Sequence, residues 1–125
     1  MTDKKYWSSV DVENYLKSLK PGARRVLPDD AYCTENFTWN EVLMTKSRNI
    51  DIPSRQILDN LKSTADVLQE YRTEVGRPIT ITSGWRTPTK QKELIQQFER
   101  GEIKNKPSET SLHLEGLALD YVVSG

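Results

Sequence analysis

The chain is short of the residues that staple or metallate small domains: among 125 residues there is one cysteine, Cys33, and one histidine, His113. A lone Cys33 forms no internal disulfide, and one Cys with one His excludes a closed Cys/His zinc finger built by this chain alone. Excess charge is missing too. Lys and Arg number 18 and so do Asp and Glu, leaving no basic footprint of the kind that DNA or an anionic membrane selects. Neither nucleic acid nor membrane is an expected partner. Nor is there a long apolar run: the opening Met-Thr-Asp-Lys-Lys-Tyr-Trp leads into charged sequence, without the pattern of a signal peptide or a membrane span. That argues against export by the ordinary secretory route. The expectation is a protein that is cytoplasmic until lysis, carried in a virion, or processed.

What is present suffices for one domain. The length is that of a single core, and three Trp, five Tyr and two Phe supply material for it in a polar chain. Residues 1–36 read as a separate N-terminal helical extension and loop. Val10, Val12, Tyr15, Leu16 and Leu19 form an approximate helical stripe, with Ser8 or Ser9 as N-cap and Pro21-Gly22 as the stop. The stretch through Pro28 and Asp29-Asp30 reads as loop.

From Phe37 onward the signals sharpen. Thr38 and Glu41 have capping-box spacing, Phe37 can staple against Val42, and Val42, Leu43 and Met44 carry that helix toward Ser47. A longer helix opens near Asp51 to Pro53. Its apolar face is Ile57, Leu58, Leu61, Ala65, Leu68, Tyr71 and Val75, and Gly76 and Pro78 end it. Ile79 and Ile81 alternate with Thr80 and Thr82 as a short strand broken at Ser83-Gly84. Thr87 and Pro88 open a helix in which Leu94, Ile95 and Phe98 are expected to face inward, ending at Gly101. Residues 101–110 read as polar loop, and Gly116 to Val123 as a second strand. Helices cluster before and between strands without regular alternation, which predicts an α+β fold with a small antiparallel sheet packed against helices.

His113 and Asp120 are the first residues with chemistry in them. An imidazole nitrogen and a carboxylate oxygen are both good zinc donors, and Gly116 between them permits a turn that folds His113 back over the face carrying Asp120. Seven positions apart and taken alone, the two mean little and fit a surface His and a strand-end Asp better. Arg86, after the strand and before the helix, fits a salt bridge capping the neighbouring helix.

Two stretches taken together narrow this. Ser83-Gly84-Trp85-Arg86-Thr87-Pro88, and then Ser111-Leu112-His113-Leu114-Glu115-Gly116-Leu117-Ala118-Leu119-Asp120, resemble the two signatures of the zinc D-alanyl-D-alanine carboxypeptidase and L-alanyl-D-glutamate endopeptidase family. The resemblance covers about residues 37–123. It implies the fold shared with the hedgehog signalling domain, action on bacterial peptidoglycan peptides, zinc as cofactor, and kinship with phage endolysins. It matches His113 and Asp120 to two zinc ligands. Arg86 matches the cation that steadies the substrate's carboxylate or carbonyl oxygen, and Ser111 a polar residue beside the site. Trp85 reads as core, and Gln91 stands where the family often has Asn. The family's third ligand is a later His preceded by a carboxylate base, yet the sequence holds one His and ends at Gly125. Residues 37–125 are therefore expected to form an incomplete or degenerate domain, with weak zinc and no hydrolysis by the chain alone. Cys33 as a third donor, and Glu109 or Glu115 as a base, are the substitutes within the sequence. The competing expectation is a non-catalytic module that binds cell wall or other virion proteins.

Overall fold

The computed structural model describes residues 5–45, 51–104 and 112–124. Its elements run β1 (Lys5–Tyr6), α1 (Ser9–Ser18), β2 (Ala31–Tyr32), α2 (Trp39–Val42), α3 (Arg55–Val75), β3 (Ile79–Ser83), α4 (Pro88–Glu99), α5 (Leu112–Glu115) and β4 (Asp120–Val123). The fold is α+β, with β3 and β4 antiparallel and β1 and β2 a short parallel pair. None of the described helices is long and apolar enough to cross a membrane.

Local chemistry sets the helix starts. The Ser8 hydroxyl accepts from the Asp11 N–H while the Asp11 carboxylate accepts from the Ser8 N–H, and Thr38 and Glu41 exchange the same two bonds. Each box satisfies donors that a helix end leaves orphaned. Ser54, just beyond the expected Asp51–Pro53 opening, caps α3 through the Ile57 N–H. At its far end Gly76 takes a left-handed φ of 64°, as a helix-terminating glycine does.

One hydrophobic cluster holds these elements together. Leu58, Leu61, Ala65 and Leu68 of α3 are buried with Phe37, Trp39 and Val42, beneath Ile79 and Ile81 of β3. The same cluster takes Val12 and Leu16 from α1 and Leu27, Ala31 and Cys33 from the segment after it. Asn40 ties that segment to α2, its amide bonding both the N–H and the carbonyl of Leu27 at 2.9 and 2.8 Å. The Trp39 indole N–H donates to the Trp7 carbonyl at 2.9 Å. Side chains from α1 and the segment after it thus lie in the core that the rest of the described chain builds.

Four expectations change. The helix begun at Trp39 stops at Val42 and does not run toward Ser47, because Met44 turns left-handed at φ 55°. β2 forms at Ala31–Tyr32, beyond the Pro28–Asp30 loop. The strand expected from Gly116 begins only at Asp120, after a helical turn over Leu112–Glu115. In α4 the buried residue is Gln91, while Leu94, Ile95 and Phe98 are half-buried: helical period gives the face, but burial depends on what covers it.

Burial pushes the Cys33 thiol up from 9.0 to about 12, with Lys62 opposing the shift and Asp66 adding to it. The folded chain thus holds this proton more tightly than the unfolded one. Its contribution to stability is complete below pH 9.0 and is lost as pH climbs toward about 12. Cys33 should resist a thiol reagent at pH 8 in the native chain and react fully in denaturant; rapid native labelling would contradict the burial. Leu16→Ala should cost about 2–5 kcal/mol in a single denaturant transition. A second, separate transition would show α1 to be an independent unit.

Candidate metal and substrate site

The site is assembled where the end of β3 meets the turn that precedes β4. In the β3–β4 ladder Ile81 pairs with Tyr121 but Ser83 with Asp120, so one extra residue, Thr82, is accommodated as a bulge. A bulge bends its strand and re-aims the residues beyond it, in this case Gly84-Trp85-Arg86. Gly84 sits against the end of α2, where a methyl group would overlap the Val42 carbonyl oxygen. The Trp85 N–H donates to that oxygen at 2.9 Å, so the close approach is used.

Residues 84–86 then clasp the 112–116 turn. The His113 ring nitrogen Nδ1 lies 3.0 Å from the Gly84 carbonyl oxygen. The Arg86 N–H donates to the His113 carbonyl at 3.1 Å, and the Trp85 indole N–H to the Leu114 carbonyl at 2.9 Å. From the other side α3 holds the same turn: Asn60 Nδ2 donates to the Glu115 carbonyl at 2.8 Å and Thr64 Oγ1 to the Gly116 carbonyl at 3.0 Å. Gly116 takes φ 77° against α3, with no room for a side chain beside the Ile57 carbonyl and Leu61.

This places His113 Nε2 3.4 Å from Asp120 Oδ2, with the His side chain largely buried and the Asp side chain exposed. A carbonyl can only accept, so its bond to His113 requires the hydrogen on Nδ1. In the neutral ring Nε2 then presents its lone pair toward the lone pairs of the Asp120 carboxylate. Two acceptors facing each other are satisfied by a proton, which makes the pair an imidazolium–carboxylate ion pair, or by a metal cation. Donors bound at about 2.0–2.2 Å to a tetrahedral ion stand about 3.3–3.6 Å apart, a range that includes the 3.4 Å found. A backbone carbonyl on the other ring nitrogen is the usual orienting partner of a metal-binding His. Zinc therefore fits this pair, as two of its donors.

Arg86 is half-buried and lines a cavity of about 210 Å³ whose walls include Ser83, Thr87, Thr89 and Lys90 but neither His113 nor Asp120. Its Nη1 donates to Gln91 Oε1 at 3.1 Å. Ser111 and Glu109 lie outside the described residues. Cys33 is in the core and Glu115 is exposed; among the described residues no group of three His, Cys, Asp or Glu is placed to hold a metal ion. Cys33 is thereby set aside as a third donor. Asn60, Thr64 and the Trp85 indole do not stand out in the sequence as site residues, because bonds to backbone carbonyls leave no mark on spacing.

An α+β domain whose residues 35–125 match the model of the Peptidase M15 family is metallopeptidase-like. The chain belongs to the Peptidase M15 family, whose peptidases are generally zinc-dependent. Comparison with curated proteins and with solved structures gave no match.

Trp85→Phe keeps an aromatic ring in the core and removes the bond to Leu114. It should cost about 1 kcal/mol in urea unfolding. Gly84→Ala should cost more, since backbone must move. An equal or smaller loss for Gly84→Ala would contradict the close packing against α2.

Proposed function

We propose that these residues form the peptidoglycan-directed part of a zinc peptidase, binding a cell-wall peptide with Arg86 and offering zinc two positions through His113 and Asp120. The observation that carries this reading is the 3.4 Å His113–Asp120 approach with His113 Nδ1 engaged by the Gly84 carbonyl. Zinc bound there supplies Lewis acidity toward a peptide carbonyl and its attacking water. The chain's own residues do the rest. Gly84 orients the imidazole, and the clasp fixes the backbone of Arg86 against that of His113. The planar guanidinium presents paired donors to a carboxylate or carbonyl oxygen of the substrate, with Ser111 as a further polar contact.

Hydrolysis asks for more. Catalytic zinc keeps three protein ligands and an open position, and a base must take the proton from water. The described residues group two donors, so we read turnover as requiring a donor and a base supplied from elsewhere. The same two-donor grouping suits a second reading, in which the fold binds cell wall without cutting.

Purified in these 125 residues, the chain should carry well under one zinc and leave peptidoglycan peptides uncut, and His113→Ala should remove the zinc that remains. Arg86→Ala should weaken binding of a D-Ala-terminated peptide by about 10- to 100-fold, the worth of a charged hydrogen bond, as read by calorimetry. Turnover that His113→Ala abolishes would overturn the two-donor account, and unchanged peptide binding in Arg86→Ala would overturn the substrate role.

A further inference from the structure

A helix ordinarily buries apolar residues and leaves amides to solvent. In α4 the reverse holds: Gln91 is 4% exposed while Leu94, Ile95 and Phe98 are only half-buried. A buried amide is costly unless it is bonded, and Gln91 Oε1 accepts from Arg86 Nη1 at 3.1 Å. Its backbone is equally placed. The Gln91 N–H donates to the Thr87 carbonyl at 3.0 Å, Thr87 Oγ1 caps the helix through the Lys90 N–H at 3.0 Å, and Pro88 stands in the first turn. The amide therefore comes from the rigid start of a helix and reaches back to the cation just before it.

We infer that Gln91 is a positioning residue for Arg86, fixing the plane of the guanidinium fork without drawing on its charge. The inference rests on the reading of Arg86 as the group that meets a substrate carboxylate, and it adds the reason for a neutral partner. A carboxylate at position 91 would hold the fork more tightly, because charge-assisted bonds are the stronger kind. It would also neutralise the guanidinium and repel an incoming carboxylate. An apolar residue would leave the charge intact and the fork free to turn, so the ordering cost would fall on binding. An amide oxygen avoids both losses.

The test uses the full chain with labelled arginine, the Arg86 resonances being identified by their absence in Arg86→Lys. In the parent chain the Arg86 guanidinium Nη signals should be separate, reporting slow rotation. They should merge in Gln91→Leu and Gln91→Met and stay separate in Gln91→Glu. Calorimetry then compares an N-acetylated Lys-D-Ala-D-Ala peptide with its C-terminal amide. Gln91→Leu or Gln91→Met should lose about 5- to 10-fold in affinity for the carboxylate form, equivalent to one hydrogen bond. Gln91→Glu should lose at least as much for the carboxylate form, and should lose more for that form than for the amide form. Nη signals that are indifferent to Gln91→Leu and Gln91→Met would overturn the inference. So would a Gln91→Glu chain that binds the carboxylate form as the parent does. If the parent binds neither peptide, the substrate reading of Arg86 fails, and the Nη signals alone decide whether Gln91 orients it.

Discussion

The arrangement depends on a two-sided clasp about a single turn. The carbonyl of Gly84, the N–H of Arg86 and the indole of Trp85 hold residues 113 and 114 from one side. Asn60 and Thr64 hold residues 115 and 116 from the other. Each bond contributes on the order of 1 kcal/mol net, so none is decisive for folding. Their consequence is positional. The only histidine of the chain cannot rotate or tip without giving up bonds on a part-buried turn, and its Nε2 stays 3.4 Å from Asp120 Oδ2.

The clasp also explains why the two signatures recognisable in the sequence belong together. The bulge at Thr82 delivers Gly84 to the end of α2 and sends Arg86 past the His113 carbonyl. His113 and Arg86 are thus joined through a backbone bond, from the Arg86 N–H to the His113 carbonyl, and not side chain to side chain. Such preorganisation is what a site needs if binding is not to be spent on ordering its own groups. The Peptidase M15 relationship over residues 35–125 is consistent with a site carried on that backbone, while Val12, Leu16 and Leu27 from outside the matched region fill the core beneath it.

Much of this was legible in the sequence wherever the determinant was local. The Thr38–Glu41 box, the Gly76 stop, the Thr87-Pro88 start and the apolar stripe of α3 all act within a turn or two, so spacing reveals them. Gly116 also announced the turn that folds His113 over Asp120. Determinants that act across the fold were silent. Nothing in Ile-Thr-Ile-Thr-Ser marks which threonine bulges out, because that is set by pairing with a strand about forty positions away. The burial of Gln91 ran against its residue type, and Leu94, Ile95 and Phe98 are only half-buried; both depend on neighbours that periodicity does not supply. The short β1–β2 pair was missed because two residues carry too little pattern to stand out from loop.

The tautomer of His113 tests the account most directly. As the chain has one histidine, a nitrogen-15 long-range spectrum of the neutral ring needs no assignment. The hydrogen should reside on Nδ1, bonded to the Gly84 carbonyl, and added zinc should shift Nε2 while leaving that hydrogen in place. A hydrogen found on Nε2, or zinc shifts centred on Nδ1, would mean that the turn is not held as described and that the His113–Asp120 pair is not a metal perch.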